Sequence, residues 1–289
     1  MRKQHVYYCL SLVVAIFVAS CYFLSTNASA AQGITISPLR NEVDIAPGTT
    51  YLAELRLTNS APSSVTLLLT AESFNVVDQN YSYSFATTSP ETSWVDFSQD
   101  SVTLLGEQSA SIAYSIRVPL DAEPGGYYLA LFAATQPPED QAGIAPVSRL
   151  ASLQYISVPG AVNKSGELLS LQSPLVAFGP SNWSATIKHP GTAHFRSYQK
   201  TTVYSVFGQP VTTSEDSWLI LPRSVRLTNN DLPVPGVMGV YRLAYSISLG
   251  DAAPTTIERW FLYLPPLQLV LILAIVAGCV VLIRSRRRD

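Results

Sequence analysis

The sequence predicts an all-β fold, two tandem immunoglobulin-like β-sandwiches followed by one transmembrane α-helix, and three observations carry the prediction. Apolar and polar residues alternate with a period of two in short runs broken by Pro, Gly, Asn and Ser. Tyr, Val, Thr and Ile are abundant, and no long window has helical amphipathicity. The long continuous apolar stretches lie at the two ends, at residues 6–24 and 264–283.

The first stretch reads as a secretory leader, signal peptide 1–30. Arg2 and Lys3 form its positive start, residues 6–24 its apolar centre, and Ala28-Ser29-Ala30 its small-residue cleavage site, so the mature chain is expected to begin near Ala31. Within it Val18-Ala19-Ser20-Cys21 resembles the lipobox of bacterial lipoproteins. Apolar Tyr22, Phe23 and Leu24 follow, however, where a lipoprotein usually has a polar tether.

The first sandwich is expected over residues 31–160, with strands at 34–45, 51–58, 65–77, 81–85, 102–105, 110–118, 127–135 and 148–158. Its alternation is clearest where Ser111, Ala113, Ser115 and Arg117 interleave with Ile112, Tyr114, Ile116 and Val118, one set wet and the other buried. Pro47-Gly48 and Pro124-Gly125-Gly126 supply turns, and the polar run 136–143 reads as a surface loop inside this domain. A second turn-rich run, 159–166, marks the boundary. Beyond it the second sandwich, 161–262, is expected to have strands at 168–178, 183–188, 201–207, 218–221, 239–248 and 257–262.

The run 264–283 has twenty residues, about 30 Å as a helix, which matches a bilayer's hydrocarbon core. Gln268 is its one strongly polar residue, Trp260, Phe261 and Tyr263 sit where an interfacial belt would, and Arg284, Arg286, Arg287 and Arg288 follow. The expectation is a helix at 263–283 with a basic tail at 284–289: a single-pass plasma-membrane protein, ectodomain outside and C-terminus cytoplasmic. Leu264-Pro265 before such a helix resembles a sortase sorting signal, but Pro266-Leu267-Gln268 stands where Thr-Gly would be required.

Composition limits function further. The three cysteines are Cys9, Cys21 and Cys279, so the region between the apolar ends has none and must be held by its hydrophobic cores. Lys and Arg (18) nearly balance Asp and Glu (20), and no basic stripe forms between the ends, which argues against nucleic acid as a partner.

Certain residues of the first half resemble the N-terminal domain of bacterial surface proteins of the WxL-interacting family: Ser37-Pro38, Pro47-Gly48, Leu57-Thr58-Asn59, Trp94, and the run from Val118-Pro119-Leu120 through Pro124-Gly125-Gly126-Tyr127-Tyr128. The second half is similar to the membrane-proximal domain of comparable proteins at Gly191, His194, Phe207-Gly208, the run from Leu221 to Arg226, Gly239-Val240-Tyr241 and Gly250. The resemblance implies two β-sandwiches, a membrane helix and a wall-facing scaffold or adhesion role, and it carries over no binding residue. A further likeness, to fimbrial chaperone sandwiches, implies binding through an exposed strand edge.

Motifs for catalysis are missing. No Gly-x-Ser-x-Gly elbow and no Gly-x-x-x-x-Gly-Lys loop occurs, and Asp96, Asp100, Glu139 and Asp140 are scattered rather than paired. His189 and His194 flank Pro190-Gly191 without a cysteine to complete a zinc site, so they read as turn residues. Tyr81, Tyr83 and Phe85 share one face of a strand, an arrangement that serves either as core or as an aromatic strip. Tyr127 and Tyr128 should point to opposite faces. The candidate contact residues are therefore Tyr81, Tyr83, Tyr127 and Tyr128, with no catalytic, cofactor or metal residue. The expected function is a non-enzymatic, membrane-anchored scaffold or adhesion protein binding cell-wall polymer or a surface protein. The alternative is a chaperone-like assembly factor for exported proteins acting by strand-edge pairing.

Overall fold

The computed structural model describes residues 33–136 and 147–286, with side chains of the last helix described to Val280. The expected leader with its cleavage site and Cys21, most of the polar loop, and the end of the basic tail lie outside the described residues.

Ten strands form the first pair of sheets: β1 (Ile34–Ser37), β2 (Arg40–Asp44), β3 (Thr50–Asn59), β4 (Val65–Val76), β5 (Tyr83–Ala86), β6 (Val95–Phe97), β7 (Ser101–Leu104), β8 (Ser109–Arg117), β9 (Gly125–Thr135) and β10 (Arg149–Val158). One sheet runs β1-β3-β8-β6; the other runs β2-β10-β9-β4-β5, with β7 also on β4. The single strand expected at 34–45 is divided by Pro38, which has no N–H for a ladder. β1 pairs antiparallel with β3, and after Pro38 the chain crosses to pair β2 parallel with β10.

The alternation of β3 and β8 puts Leu55, Leu57, Ile112 and Ile116 inside, against Leu67, Leu69, Leu129, Leu131 and Ile156 of the facing sheet. A polar knot is also buried there. Gln154 Oε1 accepts from the Tyr114 hydroxyl (3.1 Å) and the Asn41 amide (3.1 Å), while its Nε2 donates to Ser152 Oγ (2.9 Å). Burial pushes the Tyr114 hydroxyl up to about 12, so it stays protonated and donating at physiological pH. Gln154→Leu should cost about 2 kcal/mol by stranding these partners, a loss to be read from the urea midpoint.

Eight strands build the second pair of sheets: β11 (Glu167–Gln172), β12 (Val176–Ala177), β13 (Ser181–His189), β14 (Phe195–Tyr204), β15 (Pro210–Ile220), β16 (Ser224–Leu232), β17 (Gly239–Ile247) and β18 (Thr255–Tyr263). Their orders are β11-β13-β16 and β12-β18-β17-β14-β15. β14 and β15 begin earlier than expected, and β16 was not expected at all. For β14 and β16 the reason is polar burial: Ser197, Gln199, Thr201, Thr228 and Asn230 point inward, which erases the hydrophobic signal. Gln199 Oε1 accepts from Thr228 Oγ1 (3.1 Å) and Asn230 Nδ2 (2.7 Å), satisfying groups that would otherwise be costly to bury.

Helix α1 (Pro266–Arg286) follows β18. Gln268 ties its first turn to the second sandwich by accepting from Met238 N–H (2.7 Å) and donating to the Gly236 carbonyl (2.8 Å). Leu267, Val270, Leu271, Leu273, Ile275 and Val276 are exposed around it. The membrane-spanning expectation is corrected here: among the described residues no helix is long and apolar enough to cross a membrane.

Candidate functional site

Two features converge on the β10 side of the first sandwich: an aromatic joint with the second sandwich, and a length of open strand edge.

The joint grows from the outer face of the β2-β10-β9-β4-β5 sheet. Phe74 meets Tyr83 edge-on at 5.2 Å and Tyr155 edge-on at 5.4 Å, and Tyr128 lies 5.8 Å from Phe74. Leu219 and Leu221 of the second sandwich complete this cluster. Such rings give large buried area and favourable edge-to-face geometry. Tyr81 sits in a left-handed turn (φ 65°) before β5 and is the pivot. Its hydroxyl accepts from Leu221 N–H (2.8 Å) and lies 3.1 Å from Ser224 Oγ. The Arg226 guanidinium covers the Tyr81 ring at 3.8 Å and Trp218 at 4.8 Å, a cation–π sandwich. Burial lowers the Arg226 pKa and raises that of Tyr81. Leu227 N–H donates to the Gln79 carbonyl (2.9 Å), adding a backbone bond across the joint.

Three of the four tyrosines singled out from sequence therefore come together, Tyr81, Tyr83 and Tyr128, in the joint rather than on a free strip. Tyr127 faces the other way, 4.6 Å from Trp94 against the first core, with its hydroxyl donating to the Glu123 carbonyl (3.0 Å). Tyr155, Phe132, Leu219, Leu221 and Arg226 were missed. They come from strands remote in sequence, and no spacing could pair them. His189 and His194 lie at the edge of the same joint. Among the described residues no group of three or more His, Cys, Asp or Glu side chains is placed to hold a metal.

The open edge belongs to β10. One side of β10 pairs with β9 from Arg149 to Val158, whereas β2 covers the other side only from Leu153 to Ser157. Leu153 N–H donates to the Leu39 carbonyl (2.9 Å) and the Ser157 carbonyl accepts from Ile45 N–H (3.0 Å), so odd-numbered residues aim their backbone toward β2. By the same alternation Arg149 and Ala151 present N–H and C=O outward, with no backbone partner among the described residues. Leu39 (69% exposed) and Val147 (58%) flank this stretch, and residues 148–152 include neither Pro nor Lys. The Arg149 side chain turns away, ion-paired with Glu72 and lying over Phe132. β15, a longer edge, begins with Pro210 and carries Glu215 and Asp216, which guard it.

No protein-family profile and no curated protein matches this chain. Among solved structures it is similar to the Escherichia coli chaperone DraB, at 15% identity over 79% of this chain and 96% of that one (TM-score 0.37). It is also similar to a chain of the Acinetobacter baumannii CsuC–CsuE chaperone–tip adhesion subunit complex, at 10% identity over 78% and 97% (TM-score 0.40). A third likeness is to a chain of the Salmonella enterica SafA pilin in complex with the SafB chaperone, at 14% identity over 82% and 98% (TM-score 0.38). The structures named are of a chaperone and of complexes of a chaperone with a pilin or tip-adhesion subunit; the expected membrane-anchored scaffold or adhesion protein binding cell-wall polymer or a surface protein is withdrawn. The single-pass plasma-membrane localisation, with membrane attachment through a C-terminal helix, falls with the absence of a spanning helix among the described residues.

Proposed function

We propose that this protein is a non-enzymatic, chaperone-like assembly factor for exported proteins, acting by strand-edge pairing. The observation that carries the reading is the outward backbone of Arg149 and Ala151, which has no partner among the described residues, is flanked by exposed Leu39 and Val147, and lacks the Pro or Lys that usually blunts an edge. An extended segment laid there would gain main-chain hydrogen bonds from β10 and apolar contact from its neighbours. The joint holds the second sandwich beside this edge through Tyr81, Leu221 and Leu227.

Ala151→Pro tests it. The substitution removes an outward N–H that serves no internal ladder, so the fold should tolerate it as edge strands tolerate proline. With a panel of synthetic eight- to twelve-residue peptides of alternating apolar and polar residues, binding by the full chain should weaken at least about tenfold in the variant. Peptides that bind both proteins equally would sink the reading, as would a panel in which none binds at millimolar concentration.

A further inference from the structure

The segment His189-Pro190-Gly191-Thr192-Ala193-His194 lies at the joint and takes no part in the strand edge. Its backbone grips two places at once. Thr192 N–H donates to the Asn163 carbonyl of the linker (3.0 Å), and the Thr192 carbonyl accepts from Gly126 N–H at the start of β9 (2.9 Å). The buried His189 ring bridges the base of this turn, with Nε2 2.8 Å from the Ala193 carbonyl and Nδ1 3.0 Å from the Ser165 carbonyl. At its far end His194 crosses to the first sandwich, where Nδ1 lies 3.3 Å from the Tyr128 hydroxyl and the ring packs edge-on against Tyr128 and Tyr155. The Tyr128 hydroxyl is itself seated on Gly126, where a Cβ would come within 2.1 Å of it.

We propose that this turn is an acid-sensitive clasp: neutral His194 locks the two sandwiches in one orientation, and its protonation releases the second sandwich from the first while both remain folded. The surroundings favour the neutral ring. Burial between aromatic faces is the largest influence, followed by Lys164 on the linker; His189 on β13 and Arg196 on β14 act in the same direction, and only Asp44 on β2 opposes them. Glu42, the other nearby carboxylate on β2, is ion-paired with Arg196. The two tyrosines facing the ring, Tyr128 and Tyr155, have their hydroxyl pKa values raised by burial and bring no negative charge. These influences pull the His194 pKa from 6.5 down to about 4 in the closed joint.

The sign follows from linkage. A released His194 regains a value near 6.5, so the open form binds the extra proton between pH 6.5 and 4. Closure is at full strength above pH 6.5 and weakens as pH falls through that window. Below pH 4 the total loss is about 300-fold in the closed-to-open ratio.

Hydrogen exchange on the full chain, with rates divided by the intrinsic rate at each pH, reads this directly. The reporters are the amides of Gly126, Leu221 and Leu227, whose acceptors lie across the joint. Between pH 7.5 and 4 their protection should fall at least about tenfold, while Leu55–Leu57 and Leu243–Tyr245 in the two cores hold theirs. His194→Gln should keep the reporters protected at pH 4. Lys164→Gln, which removes a neighbouring positive charge and so raises the His194 pKa in the closed joint toward its released value, should leave the reporters better protected at pH 4 than in wild type. The proposal is overturned if wild-type reporters stay protected at pH 4, if core and joint lose protection together, or if the Lys164 variant loses as much protection at pH 4 as wild type. Strand-edge binding plays no part in this readout, so the clasp and the assembly-factor reading stand or fall separately.

Discussion

Gly250→Ala unfolds the second sandwich. Gly250 turns the chain between β17 and β18 with φ +81°, a conformation that costs an L-residue about 1–2 kcal/mol. The larger penalty is steric, because a Cβ there would lie 1.5 Å from the Lys164 carbonyl oxygen. That oxygen belongs to the linker, and the neighbouring Gly166 N–H bonds the Leu249 carbonyl (3.0 Å), so neither chain can retreat without losing the contact. The expected loss exceeds about 4 kcal/mol, in the range reserved for backbone conflicts in a packed site. Gly208 provides the control. It has nearly the same backbone angle (φ +78°) but open space around its Cβ position, so Gly208→Ala should cost only about 1 kcal/mol. Equal midpoints for the two variants in urea would refute the steric part of this argument.

The second large effect concerns Trp183, the largest fully buried side chain, at 2% exposure in the second core. It packs 4.8 Å from Tyr245 among Ile187, Val203, Leu243 and Phe261. Trp183→Ala should cost about 3–5 kcal/mol from lost transfer energy and the cavity left behind. Among the described residues its indole Nε1 has no hydrogen-bond partner, so Trp183→Phe removes an unsatisfied donor along with part of the ring. The phenylalanine variant should retain at least about half of what the alanine variant loses, and a denaturation series with both would show it.

How much of this was legible in the sequence depended on what each strand buries. β3 and β8 bury Leu and Ile against polar exposed faces, and their alternation predicts them almost to the residue. β14 and β16 bury Gln199, Thr228 and Asn230, whose partners are known only once the strands are placed, and no hydropathy pattern could reveal them. The division of the first strand was hinted at by Pro38, yet the move from one sheet to the other depends on β10, more than one hundred residues later.

The site was less accessible for the same reason. Tyr81, Tyr83 and Tyr128 stood out as aromatic residues on strands, but their packing against Leu219 and Leu221 is a property of two domains meeting. His189 and His194 read as turn residues, whereas His189 is the buried last residue of β13 and His194 precedes β14; the role of the turn between them in gripping Gly126 and Asn163 could not be read from the six residues alone. An open edge is still harder to foresee, because it is defined by where β2 stops covering β10.

Pairing of partners with β10 through its backbone can be read by amide exchange at single-residue resolution. A peptide that binds the full chain should slow exchange of the Arg149 and Ala151 amides at least about tenfold, since those outward N–H groups would enter a new ladder. Unchanged exchange at both amides under saturating peptide would contradict it, and would place binding somewhere other than this edge.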